Sequence, residues 1–389
     1  VSSPNAGALA PLDEARLREA LALAEGAIGL SDPNPRVGCV LADKTGERLA
    51  RGHTQQAGGA HAEVMALRDA ATKALDLRGG TAWVSLEPCA HHGRTPPCCD
   101  ALIAASLKRV VVAVQDPFPG VNGAGIERLR AAGIEVVVAN GALAQAAREI
   151  NIGFFSRLER GRPWVRLKSA VTLDGRTALP DGRSQWITSE AARRDGHAWR
   201  RRAGAVLTGI GTVLADDPRL DVRGVPTQRQ PLRVVLDSRL RLPAQARIVQ
   251  PPGQVLVVHA QADSERPAWA AAAPQADWWA CRAPTSGQAH VDLAALLPEL
   301  ARRGVNELHV EAGARLGGAL LDAGLVDELL VYVAPKLFGQ GPGLATITPL
   351  PDVASAPAWA FHGVEPVGPD LRLLLRWPAA QQVWAGAPT

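Results

Sequence analysis

Apolar runs of strand length alternate with amphipathic stretches of helix length along this chain, and a polar break before its middle restarts the pattern. Residues 12–28 read as a helix, with Leu17, Leu21, Ala24 and Ile28 on one face and Asp13 and Glu14 in the first turn. Val37–Leu41 then reads as a strand, His61–Leu75 as a helix, Thr81–Leu86 as a strand and Cys98–Leu107 as a helix. Arg109–Val114, Gly123–Ala132 and Ile134–Val138 continue as strand, helix and strand. The polar segment Ser156–Pro163 reads as a boundary between a domain at 1–160 and another at 161–389. Beyond it Trp164–Ala170, Ala205–Gly209, Arg233–Leu236, Val255–Val258, Glu307–Glu311 and Glu328–Val333 have strand length. Residues 265–290, rich in Ala, Pro and Trp, read as irregular surface, and the tail after Trp377 as a frayed end. Such alternation packs helices on a largely parallel sheet, so the fold class is α/β.

Composition narrows the function. With 47% hydrophobic and 21% charged residues the chain is globular rather than disordered. It holds no apolar run near the roughly 20 residues of a membrane span, and its first residues lack a secretory pattern, so a cytoplasmic protein without membrane contact is expected. A net charge of +4 with 4% aromatics gives little for a nucleic-acid groove to work with, and no nucleic-acid partner is expected. Three of the five cysteines, Cys89, Cys98 and Cys99, fall within eleven residues. A disulfide framework would spread them, so the cluster favours a metal site.

His61-Ala62-Glu63 opens a helix, Pro88-Cys89 follows a strand and Cys98 opens the next helix. One imidazole and two thiolates leave a fourth zinc position open, as catalytic sites do. Zinc lowers the pKa of bound water toward about 7, and Glu63 is placed to carry that water's proton to a ring nitrogen and then to departing ammonia. Zinc deaminases carry H-x-E…P-C-x-x-C; here eight residues separate Cys89 from Cys98. A chance H-A-E and a structural zinc with His91 or His92 as fourth ligand stay open at this level. So do a base deaminase acting on nucleic acid and a zinc-stabilised interaction protein.

Asn34-Pro35-Arg36-Val37-Gly38-Cys39-Val40, Gly59-Ala60-His61-Ala62-Glu63 and Leu86-Glu87-Pro88-Cys89-Ala90-His91-His92-Gly93-Arg94-Thr95-Pro96-Pro97-Cys98 closely resemble the bifunctional riboflavin-biosynthesis deaminase–reductases. The resemblance implies an N-terminal cytidine-deaminase-like three-layer domain with zinc on His61, Cys89 and Cys98 and Glu63 as proton shuttle. It implies that Asn34 holds the pyrimidine ring, which an amide can do by donating and accepting. Arg94 is read as a fork for the ribose phosphate.

In the second half Gly209-Ile210-Gly211-Thr212 follows an apolar strand, yet no full dinucleotide fingerprint is present. Leu308-His309-Val310-Glu311-Ala312-Gly313 runs from a strand into a Gly-rich turn, where backbone N–H groups and a helix start can meet a phosphate. These blocks look like the dihydrofolate-reductase-like domain of the same family, which implies NADPH. By position in the motifs, Ala170, Trp186, Thr212, Asp216, Ser238 and the run Gly313, Ala314, Arg315, Leu316, Gly317, Gly318 and Ala319 would face the cofactor. Ser184, Arg200, Leu220, Arg223 and Glu311 would face the substrate, the arginines suiting a phosphate tail. Lys168, one of only five lysines against 37 arginines, is read as a substrate contact and proton source. The implied partner is a phosphorylated pyrimidine, and the implied assembly a homo-oligomer through the reductase domain.

Overall fold

The computed structural model describes residues 9–91, 96–261, 274–283 and 290–378. Its contacts divide the chain into Val1–Arg160 and Gly161–Thr389.

The first unit runs α1 (Pro11–Ala24), β1 (Gly38–Ala42), β2 (Leu49–His53), α2 (Ala62–Thr72), β3 (Thr81–Val84), α3 (Cys98–Ala104), β4 (Arg109–Val112), α4 (Ala124–Ala131), β5 (Glu135–Val138), α5 (Gly141–Ile150) and α6 (Ile152–Arg160). Its sheet has the order β2-β1-β3-β4-β5. β3, β4 and β5 are parallel, whereas β1 is antiparallel to both β2 and β3. Two glycines show how the layers form. A Cβ on Gly38 would lie 1.9 Å from the Ala20 carbonyl of α1, and one on Gly52 would lie 2.4 Å from the Ala62 carbonyl of α2. Gly52 pairs with Cys39, the neighbour of Gly38, so the two glycines face opposite sides of the sheet. α1 and α2 therefore cover opposite faces, which makes three layers. Buried Asp13 ties α1 down by accepting from Trp83 Nε1 of β3 at 2.8 Å and from both Arg109 Nη atoms of β4 at 2.7 and 2.9 Å.

The segment expected as a polar boundary is largely helix: α6 runs to Arg160 with Ser156 fully buried. Its apolar face, Ile152, Phe154 and Phe155, outweighs the polar residues that follow, and the Arg148 guanidinium covers Phe155 at 4.2 Å. β2, whose sequence Leu-Ala-Arg-Gly-His carries little alternation, has no counterpart in the sequence reading.

The second unit contains β6 (Trp164–Thr172), α7 (Glu190–Arg202), β7 (Ala205–Gly209), α8 (Ile210–Asp216), β8 (Leu232–Leu236), β9 (Val255–His259), β10 (Ala276–Ala280), α9 (Leu293–Arg302), β11 (Glu307–Val310), α10 (Ala314–Asp322), β12 (Glu328–Ala334), β13 (Ala360–Val367) and β14 (Asp370–Arg376). The sheet order is β10-β9-β8-β7-β11-β6-β12-β14-β13. It is parallel from β10 to β12; β14 and β13 add an antiparallel hairpin. Between 265 and 290, residues 276–280 are strand rather than irregular surface, paired with β9, while 265–273 and 284–289 lie outside the described residues. Most of the tail after Trp377 lies outside them too. A buried ion network crosses this sheet. Arg166 of β6 pairs with Glu307 at 3.0 Å and with Glu328, while Arg202 and Arg376 reach the same two carboxylates at 2.8 and 2.9 Å. Removing one member of such a set strands a buried charge, at a cost of about 3–5 kcal/mol.

Candidate active sites

His61 caps α2 with extended backbone, Cys98 is the first residue of α3, and Cys89 follows the turn after β3. His61 Nδ1 lies 3.6 Å from Cys89 Sγ and 3.3 Å from Cys98 Sγ, and all three donor atoms fall within 4.8 Å of one another. Zinc bonds of about 2.0 Å to nitrogen and 2.3 Å to sulfur, at tetrahedral angles, separate donors by about 3.5 Å. The residues therefore fit the ion. No fourth donor joins this group among the described residues. His91 is exposed and packs its ring 5.5 Å from Phe118, and Cys99 turns away to donate to the Pro88 carbonyl at 3.2 Å. His92 and Arg94 lie outside the described residues.

The thiols share a proton. Donation from Cys98, with help from His61, holds Cys89 down at about 4, and the same bond pushes Cys98 well up. Cys89 and Cys98 would both serve as thiolates in holding a zinc ion. Glu63 is 3% exposed; burial, then the Cys89 charge, push its carboxyl up to about 7. A group poised there can take and return a proton near neutrality.

His61, Glu63 and Cys89 line a pocket of about 450 Å³ that also includes Asn34, Thr54, Asp116, Phe118 and Arg157. The last four were missed by the sequence reading; an acidic residue just past the end of β4 was the available signal for Asp116. Burial pushes the Asp116 carboxyl up to about 7. Glu87 holds this wall together. Its carboxylate accepts from the backbone N–H groups of Asp116, Gly123, Gly125 and Ile126 at 3.1, 3.0, 2.9 and 3.2 Å. The turn that presents Cys89 is thereby clasped to the segment that walls the pocket.

In the second unit the candidate residues collect at the carboxyl ends of the central parallel strands, the usual ligand edge of such sheets. β11 ends opposite Leu167 of β6, which sets Lys168 beside Glu311 with Nζ 4.0 Å from Oε2. Arg200 grips both Glu311 oxygens, one through Nη2 at 2.9 Å and the other through Nε. It also donates to the Asp221 carbonyl at 3.0 Å, and the Asp221 carboxylate takes Arg223 at 2.7 Å. Burial opposes the charge on Glu311, but Arg200 and Lys168 prevail and hold its carboxyl well below the ordinary range. Burial pushes the Lys168 ammonium down against the pull of Glu311.

The other candidates are placed less uniformly. A Cβ on Gly313 would lie 3.8 Å from Thr212 Oγ1, so the two strand-to-helix turns adjoin. Ala314, Arg315 and Leu316 form the first turn of α10, whose N–H groups lack intrahelical partners. Gly317 and Gly318 instead face inward: a Cβ on Gly318 would lie 1.8 Å from the Thr346 carbonyl, so this glycine serves packing. Ala319 and Asp216 are exposed, and Ala170 and Ser238 half-buried near the ends of β6 and β8. Trp186 is exposed, with the Arg193 guanidinium 4.6 Å over its ring and its carbonyl accepting from Lys336 at 2.9 Å. Ser184 lies two residues before it, half-buried. Leu220 packs its side chain into the core, with φ +49°, rather than presenting it to a ligand.

Comparison with known proteins agrees with this division. Residues 11–114 match the family described as cytidine and deoxycytidylate deaminase zinc-binding region, and residues 163–373 match the RibD C-terminal domain. The chain is 46% identical over 380 residues to the riboflavin biosynthesis protein RibD of Escherichia coli, covering 93% of this chain and 99% of that protein. Among solved structures it is similar to Acinetobacter baumannii RibD, with TM-score 0.84 and 40% identity over 94% of this chain and 98% of that one. It is likewise similar to a diaminohydroxyphosphoribosylaminopyrimidine deaminase/5-amino-6-(5-phosphoribosylamino)uracil reductase from Thermotoga maritima, with TM-score 0.82 and 34% identity over 94% and 98% of the two chains. No helix of the described residues is long and apolar enough to cross a membrane.

Proposed function

Because the chain belongs to the RibD family of bifunctional riboflavin-biosynthesis deaminase–reductases, we propose a division of labour between its two units and roles for the residues at the centre of each. Residues 1–160 deaminate 2,5-diamino-6-ribosylamino-4(3H)-pyrimidinone 5′-phosphate, and residues 161–389 then reduce its ribosyl chain to ribityl with NADPH. The observation that carries this reading is the convergence of His61 Nδ1, Cys89 Sγ and Cys98 Sγ within 4.8 Å of one another, with His61, Cys89 and buried Glu63 lining one pocket.

When bound, zinc supplies an acidified water and NADPH a hydride. His61, Cys89 and Cys98 hold the metal, and Asn34 orients the ring by its amide. Glu63 takes one proton of the attacking water and gives it to a ring nitrogen, then takes the second from the hydroxyl so formed and gives it to the departing amine, so that the carbonyl forms as ammonia leaves. In the second unit the opened ribosylamine presents an imine whose C1′ accepts hydride. Lys168 donates the balancing proton, Glu311 keeps the ammonium in place while Arg200 fixes Glu311, and Arg223 takes the phosphate. The Gly313–Leu316 turn, Thr212, Ser238 and Trp186 hold the cofactor. A cytoplasmic location suits thiolate ligands among five free cysteines, and we expect a homo-oligomer through the second unit.

The test is a paired assay of ammonia release and NADPH oxidation, before and after zinc removal. Metal-dependent ammonia release without NADPH, followed by NADPH oxidation that needs prior deamination, supports both activities and their order. Zinc-loaded protein that releases no ammonia overturns the first.

A further inference from the structure

Resting on that reading of the first unit, the geometry points to Arg157 of α6 as the anchor for the phosphate of the deaminase substrate. The described wall of the pocket carries three carboxylates, Glu63, Glu87 and Asp116, and Arg157 is its one Arg or Lys among the described residues. Among the described lining residues that guanidinium is the one arginine or lysine charge that draws in a phosphate tail, while the carboxylates oppose it. Glu87 is committed to four backbone N–H groups, and the carboxylate that acts on the Arg157 charge is Asp32.

Arg157 is held in place from two sides. Nη2 donates to the Pro33 carbonyl at 3.4 Å, and the guanidinium lies 5.7 Å from the centre of the buried Phe154 ring. A planar guanidinium fork matches phosphate oxygens. Burial pushes the Arg157 pKa down against the pull of Asp32, the mark of a partly desolvated cation that an incoming anion would stabilise. Pro33 also precedes Asn34, so a ring held by Asn34 and a phosphate held by Arg157 are gripped from one side of the pocket.

The experiment uses the zinc-loaded full chain, with the 5′-phosphorylated ribosylaminopyrimidinone and its dephosphorylated form as probes. Arg157→Gln should raise KM for the phosphorylated probe by about 10- to 100-fold, the worth of one charge-assisted contact. Its kcat should stay within about twofold and its KM for the dephosphorylated probe should not move. Arg157→Lys should recover part of the loss. Equal effects on both probes, no effect on either, or a fall in kcat at constant KM overturns the assignment, because each means that Arg157 pins the Pro33 loop or merely packs. Calorimetric binding of the phosphorylated and dephosphorylated uracil products reads the same contact without turnover. A wild type that releases no ammonia therefore fails the deaminase reading, while phosphate-dependent binding, lost or kept in Arg157→Gln, still decides the role of Arg157.

Discussion

The first unit concentrates its chemistry on a few side chains at the ends of elements: His61 before α2, Cys89 after β3 and Cys98 opening α3. The second unit distributes its candidates over the carboxyl edge of a parallel sheet, from Lys168 on β6 through Thr212 after β7 and Ser238 after β8 to Glu311 after β11. A metal site needs donors of fixed type within bonding distance, so losing one donor destroys it. A cofactor groove is assembled from many weaker contacts, much of it backbone, and degrades gradually.

That contrast sets the scale of what mutation should do. Cys89→Ser should strip the metal and lower ammonia release by about a thousandfold or more, while reduction of pre-deaminated substrate stays near wild type. Metal analysis beside the two assays reads this, and ammonia release that survives would break the comparison. Glu63→Gln should keep the metal yet lose about 10²–10⁴-fold in ammonia release, separating proton transfer from metal binding.

On the distributed side Glu311→Gln should lower reduction by about 10- to 100-fold and leave zinc content and ammonia release unchanged. The same variant has a pH signature. The native carboxyl titrates well below the unfolded value near 4.3, so its ion pairs add stability that is complete above that value and fades as pH falls through the native one. Denaturation midpoints should show Glu311→Gln less stable than wild type at pH 7, with the gap closing in acid. A gap that persists in acid would mean lost packing. The smallest effects belong to the glycines. Gly318→Ala forces a methyl against the Thr346 carbonyl and should cost about 1–3 kcal/mol by thermal denaturation. Gly211→Ala on α8 meets nothing within 4 Å and should be neutral or stabilising by up to about 1 kcal/mol.

Spacing singled out His61, Cys89 and Cys98, the family resemblance implied them as the zinc set, and the structure brings their donor atoms within 4.8 Å of one another. A histidine and a cysteine at helix starts and a cysteine after a strand carry their geometry locally, because those backbone ends have few conformations and project their first side chains in a common direction. The core helices and strands were equally readable wherever apolar periodicity ran uninterrupted, as in α1 and β4. The antiparallel edge strand β2, the hairpin of β13 and β14, and the amphipathic helix hidden in Ile152–Arg160 were not, since their short or mixed patterns acquire a buried face only against neighbours distant in the chain. The same holds for function. Asp116, Phe118 and Arg157 join one pocket with Asn34 and Glu63, and Arg200 meets Glu311 across 111 residues, only because the sheets bring these segments together. The motif glycines divide likewise: Gly313 opens a helix beside Thr212, whereas Gly318 fills a space that one carbonyl leaves for it. Residue type and spacing dictate chemistry where the donors sit at the ends of single elements; where a site is built from segments far apart in sequence, long-range packing alone decides which side chains share it.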